Sequence, residues 1–160
     1  MRDDHRRVLE RVARLEAALW PEGSSRSGSR VEAELRETLA VMDRQFGTHM
    51  AAEDEVLFPA LLEALPETRG SIGPLETEHA ELRDMLKRLE STLAEPDPSD
   101  RDEQVAVQVR DFIDLLRIHI RKEEAVVIRV AERVLRPREV QALAARMTQT
   151  PRRESGGGPR

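Results

Sequence analysis

The sequence predicts an all-α fold, an antiparallel bundle of four helices in up-down-up-down order, and three observations carry that prediction. Most of the apolar content is Leu, Val and Ala, Gly occurs only 8 times, and Glu and Arg dominate the charged residues, a composition that favours helix over sheet. Four stretches place apolar residues in steps of three and four, which gathers them on one face of a helix. Short segments rich in Pro, Gly, Ser and Asp separate these stretches, and short connections make consecutive helices antiparallel neighbours. At 160 residues, 39% hydrophobic, the chain can bury one real core, assigned here to residues 1–148, with a disordered tail over 149–160.

The first helix starts at Asp3 and Asp4, whose charges suit the positive end of the helix dipole, and runs through His5, Val8, Val12, Leu15 and Leu19. It ends near Trp20-Pro21, and PEGSSRSGS over Pro21–Ser29 reads as a flexible loop. The second helix begins near Arg30 with the stripe Val31, Leu35, Leu39, Met42, Phe46, His49, Glu53, Val56 with Leu57, then Ala60 with Leu61. Asp54 borders that face, Glu55 falls off it, and Pro59 should kink or break the helix. PETRGSIG over 66–73 reads as turn material, with Pro74 at the first position of the third helix. That helix carries Leu75, His79, Leu82, Leu86, Leu89 and Leu93. After a Pro-Asp-Pro-Ser-Asp connection, Asp100 and Glu103 resemble a capping pair for the fourth helix, whose stripe is Val105, Val109, Phe112, Leu116, His119, Glu123, Val126 with Val127, Val130 and Val134. PREVQALAARM over 137–147 would form a short fifth helix on the outside.

Composition excludes several chemistries. No cysteine means no disulfide framework, thiol catalysis or iron–sulfur ligation. A net charge of −5 with interleaved signs offers no basic stripe, so no nucleic-acid partner is expected. No apolar run approaches bilayer length and the N-terminus lacks a signal-peptide core, so a cytoplasmic protein with no membrane partner is expected.

The four histidines of the chain all interrupt apolar stripes, and two of them open His-x-x-x-Glu pairs, His49 with Glu53 and His119 with Glu123. Residues four apart share a helix face, so each pair aims an imidazole and a carboxylate inward. In an antiparallel bundle, the starts of helices one and three lie level with the later parts of helices two and four. His5, His79, His49 and His119 therefore fall in one layer with both glutamates. A lone inward histidine is usually a satisfied core residue, and a lone His-x-x-x-Glu is usually a surface pair. Two carboxylates buried among Leu, Val and Phe, with no Lys or Arg on the stripes at that level, are costly unless a metal compensates them. Six N/O donors without sulfur exceed a closed tetrahedral zinc site and suit two five- or six-coordinate ions, iron first and manganese as an alternative.

The stretches DDHRRVLERV around His5, HMAAEDEVLFPAL around His49 and Glu53, EHAELRDML around His79, and HIRKEEAVVIRVAERVL around His119 and Glu123 resemble the hemerythrin-like, or HHE cation-binding, domains over residues 3–135. The resemblance implies a left-handed up-and-down bundle with two iron ions bridged by oxo or hydroxo and by Glu53 and Glu123, the four histidines completing the ligand set. Ferritin-like di-iron proteins, with their Glu-x-x-His pairs, are a poorer match. Oxygen-carrying hemerythrins supply a fifth histidine on the third helix. Here the flanking positions are Leu75 and Arg83, which implies an open position or recruitment of Glu76 or Glu78. Such a centre would bind or react with O₂, peroxide or nitric oxide, with Phe46, Met50, Leu75, Phe112 and Leu116 as candidate walls of a small-ligand pocket. Binding or sensing of O₂, oxidative-stress defence and a catalase-like peroxide activity stay open on the sequence, as do metal storage and a metal-free helical interaction module.

Overall fold

The computed structural model describes residues 2–19, 28–95 and 101–149, and among these no residue is in a strand. The expected loop up to residue 27, the Asp100 cap and the tail from 150 lie outside the described residues. Helix α1 spans Arg2–Leu19, with Asp3 and Asp4 in its first turn, and α2 spans Gly28–Ala52, starting two residues before the expected Arg30. A π-helical turn, Glu53–Leu57, joins α2 to α3 at Phe58–Ala64. A 3-10 turn at Pro66–Thr68 leads into α4 at Arg69–Ala94, followed by α5 at Arg101–Val134 and α6 at Pro137–Met147.

Cross-helix pairs fix the directions. Along α1 and α5, His5 meets Glu124 at 3.2 Å and Glu16 meets Arg117 at 2.6 Å, so one helix ascends as the other descends. Between α2 and α4, Arg36 donates to the Leu93 carbonyl at one end and Asp54 accepts from His79 at the other. Between α4 and α5, Glu78 faces His119 near one end and Thr92 faces Gln108 near the other. Arg101 at the start of α5 reaches Glu32 near the start of α2 at 2.8 Å, which sets these two helices parallel across the bundle. The result is the expected up-down-up-down bundle.

Two features of this chain depart from simple helical periodicity. The third helix does not start at Pro74. It starts at Arg69, and Pro74 lies inside it. Gly70 and Gly73 gave the segment its turn-like character, yet Ile72 is buried against Leu57, Phe58, Leu61 and Val127, and burial of one such side chain, about 1.5–3 kcal/mol, outweighs poor local propensity. The second departure is the π turn. The Phe58 N–H bonds the Glu53 carbonyl five residues back, which inserts one residue into the helical register. Pro59 follows at once and has no N–H with which to resume the ladder. The inserted residue turns Phe58, off the expected stripe, fully into the interior while Leu57 and Leu61 stay buried.

The main core joins Val8, Val12 and Leu15 of α1 to Leu35, Leu39, Met42 and Phe46 of α2, Leu82 to Leu93 of α4 and Val105 to Ile120 of α5. A smaller cluster of Leu57, Phe58, Leu61, Ile72, Leu75 and Val127 closes the opposite end. The polar layer lies between these two clusters. Helix α6 packs on the π turn through Leu143, as the expected outer helix. Among the described residues no helix is long and apolar enough to cross a membrane.

Candidate metal centre

Four helices deliver all six sequence-selected polar residues to one layer. His5, Glu53, His79, His119 and Glu123 are buried, and the His49 side chain is 10% exposed. The imidazoles form two pairs, with Nε2 of His5 3.1 Å from Nε2 of His49 and Nε2 of His79 3.1 Å from Nε2 of His119. The carboxylates stand between the pairs. Glu53 places Oε1 2.9 Å from Nε2 of His49 and Oε2 3.5 Å from Nε2 of His79, one oxygen toward each pair. Glu123 places Oε2 3.1 Å from Nε2 of His5 and 3.6 Å from Nε2 of His119. His5, His49, Glu53 and Glu123 each present a ligand atom, all within 4.8 Å of one another.

The tautomers explain why facing nitrogens at this distance point to a missing cation. His79 Nδ1 is 2.6 Å from Asp54 Oδ1, His119 Nδ1 is 3.1 Å from Glu78 Oε2, and His5 Nδ1 is 3.2 Å from Glu124 Oε1. An ionised carboxylate only accepts, so each of these Nδ1 atoms donates, and in the neutral imidazole a donating Nδ1 leaves Nε2 as a bare lone pair. His79 and His119 both have Nδ1 so fixed, and their facing Nε2 lone pairs repel unless something positive lies between them. The carboxylates tell the same story, because all four oxygens of Glu53 and Glu123 are buried with no hydrogen-bond partner. Unsatisfied buried oxygens of this kind are rare in folded proteins and costly.

Two of the three supporting carboxylates are themselves anchored. Asp54 Oδ2 accepts from Arg83 at 2.6 Å, and Glu78 Oε1 accepts from Lys122. Phe46 stacks near His49, with ring centroids 6.0 Å apart, and Phe58 stacks on His79 at 5.5 Å. Burial pushes the Glu53 carboxyl well above its ordinary range, and the neighbouring Glu123 charge adds to the shift. Burial opposes ionisation of Glu123 too, but the close approach of His5, with Nε2 3.1 Å away, and of Glu53 outweighs it and holds Glu123 down to about 2. Burial and mutual repulsion thus drive the two glutamates apart, Glu53 toward its protonated form and Glu123 toward its ionised form. Burial holds His49 down to about 4 and lowers His119, with the nearby His79 reinforcing the shift on His119. His5 goes the other way, because its burial is outweighed by Glu123 and Glu124, which raise it, so a cation would take the place of a proton there.

The sequence did not single out three of these features. Asp54 was read as a border residue, Glu124 was not assigned, and Phe58 lay off the stripe. Glu78, expected as a substitute ligand, stands behind His119 at Nδ1, and Glu76 pairs with Arg69 at 3.8 Å. Leu75 packs in the smaller apolar cluster and Arg83 is held by Asp54, so neither flank of His79 supplies a donor. Phe46, Met50, Phe112 and Leu116 pack together in the main core.

A helical bundle whose core carries two imidazole pairs joined by two carboxylates is a metal-binding bundle of the His/carboxylate class. The family model for the hemerythrin HHE cation-binding domain matches residues 1–131, and the chain belongs to that family. Searches of curated proteins and of solved structures returned no match.

Proposed function

We propose that the protein is a non-haem di-iron protein that binds or reacts with a small oxidant, O₂, peroxide or nitric oxide, in O₂ binding and sensing or in defence against oxidative stress. In this reading His5 and His49 would hold one ion, His79 and His119 the other, and Glu53 and Glu123 would serve both. The observation that carries it is the pair of buried carboxylates without hydrogen-bond partners, both oxygens of Glu53 and Oε2 of Glu123 lying between two pairs of converging Nε2 atoms. Two imidazoles, one oxygen of Glu53 and Glu123 would face each ion, four protein groups at most and fewer than a five- or six-coordinate iron or manganese takes. When bound, such a pair supplies a redox-active Lewis acid with positions open to a small molecule.

The chain's own residues prepare that site. Asp54, Glu78 and Glu124 hold their imidazoles in the ligating tautomer and raise their basicity. Phe46 and Phe58, both fully buried, stack on His49 and His79 and give the layer an apolar lining. Peroxide decomposition is the second reading, favoured by the absence of a fifth donor on α4, where Leu75 and Arg83 are otherwise engaged. The test is the visible absorption spectrum of iron-loaded protein, reduced anaerobically, exposed to air and returned to low oxygen. A charge-transfer band that comes and goes with oxygen supports binding or sensing. A band that does not reverse, with gas evolved on addition of peroxide, supports the enzyme. No band in folded protein that metal analysis shows to be free of iron contradicts both.

A further inference from the structure

His49 differs from its three counterparts. His5, His79 and His119 each have a carboxylate at Nδ1, but among the described residues no side chain or backbone group accepts a hydrogen bond from His49 Nδ1. Its imidazole instead lines a cavity of about 530 Å³ bounded by α2, α5 and α6. That volume lies within the range of sites that hold small organic molecules. The walls are apolar, with Leu57 and Val127 on one side and Leu143 and Met147 of α6 forming the roof. The charged side chains that line it are Asp4 and Glu132, both acidic and each beside an arginine, Arg7 3.7 Å from Asp4 and Arg2 4.0 Å from Glu132, and Glu132, 67% exposed, marks the mouth.

We propose that this cavity binds a small uncharged apolar molecule bearing a hydrogen-bond acceptor, such as an aromatic ketone, with the acceptor turned inward to take the His49 Nδ1–H. The inference rests on the metal reading, because ligation through Nε2 is what places the proton on Nδ1. Each part of the ligand answers a feature of the site. The apolar body matches the Leu57, Val127, Leu143 and Met147 walls, the acceptor matches a nine-tenths buried donor, and the absence of negative charge matches Asp4 and Glu132. Cations would be drawn to the mouth but would present no acceptor to Nδ1. The bound molecule would thereby supply to His49 the support that Glu124, Glu78 and Asp54 give the other three imidazoles, making the strength of one metal ligand depend on occupancy.

The test compares 1-tetralone, its hydrocarbon analogue tetralin and the anionic 5,6,7,8-tetrahydro-1-naphthoate by calorimetry on protein loaded anaerobically with iron(II), with metal content measured on the same sample. Tetralone should bind about tenfold more tightly than tetralin, the difference expected for a buried donor satisfied against one left unsatisfied, and the carboxylate should bind weakest. Ala131→Phe, which fills the cavity, should abolish binding; Ala144→Phe, on the exposed side of α6, is a second filling variant should the first not fold. In metal-free protein the Met147 methyl resonance should shift on ligand addition while that of Met85 stays in place. Equal affinities for tetralone and tetralin in metal-loaded protein, or binding indifferent to both filling variants, overturn the cavity proposal alone. Protein that takes up no metal overturns the proposed function and this inference together.

Discussion

Replacing Glu53 with Gln should change stability in opposite directions with and without metal. The substitution keeps the shape of the side chain and removes its charge. In the metal-free chain Glu53 is fully buried, both its oxygens lack partners, and its neighbour Glu123 is ionised. Gln places its amide where the carboxyl stood, so the gain comes from losing the ionisable group and from an N–H that can donate to Glu123, about 1–3 kcal/mol, or several degrees in Tm for a chain of this size. The gain depends on pH with a definite sign. Burial and Glu123 raise the folded-state pKa of Glu53 above 4.5, so the folded chain keeps a proton that the unfolded chain releases. The wild type is therefore penalised as pH rises above 4.5, and the advantage of Gln should appear there, grow toward neutrality and vanish in acid. With metal at a hundredfold excess over Kd, binding adds about 2.7 kcal/mol to the wild type, and removing a bridging carboxylate forfeits much of it. The assay is thermal unfolding followed by circular dichroism, with chelator and with saturating iron(II) or manganese(II). A Glu53→Gln protein less stable than wild type in chelator at pH 7, or a shift of the same sign in both conditions, would refute the reasoning.

His49→Ala and His119→Ala should each lose metal, read by metal analysis after desalting, and should lack the metal-dependent rise in Tm. Asp54→Asn weakens the acceptor that fixes His79 and leaves Arg83 without its partner, and metal affinity should fall about 10-fold or more in a chelator competition. In metal-free protein, His49 stays neutral down to about pH 4 while the unfolded chain protonates it near 6.5, so stability should drop as pH falls through that window. The slope from this group is at most about 1.4 kcal/mol per pH unit, obtained as the difference between wild type and His49→Gln in denaturant melts. Gly47 lies inside α2 with nothing within 4 Å of a Cβ placed on it, so Gly47→Ala should stabilise the fold by about 0.5–1 kcal/mol without altering metal content.

The layer of His5, His49, Glu53, His79, His119 and Glu123 was legible because each residue stands in a stripe of period three to four, and up-down order alone sets the four levels. The π turn was not legible. An inserted residue leaves no mark on the apolar pattern beyond Pro59, and it moves Phe58 from the flank of the helix to the interior. Asp54, Glu78 and Glu124 were hidden for a related reason. They sit beside the stripes, and whether a flanking carboxylate reaches an Nδ1 atom depends on how neighbouring helices are rotated, which no single helix encodes. The start of α4 was misread because Gly70, Gly73 and Pro74 speak locally for a turn, whereas Ile72 is held by a cluster drawn from α3, α4, α5 and the π turn. The cavity beside His49 exists only once α6 folds back over the bundle, and sequence periodicity says nothing of that packing.

The central claim is that two imidazole pairs and two bridging carboxylates hold two ions in each chain. The most direct measurement is anaerobic titration of metal-free protein with iron(II), followed by desalting and determination of iron per chain for the wild type and for Glu123→Ala. The account requires two iron ions per wild-type chain and a clear loss in the variant. Fewer than one ion per folded wild-type chain, or a stoichiometry that Glu123→Ala leaves untouched, would contradict it.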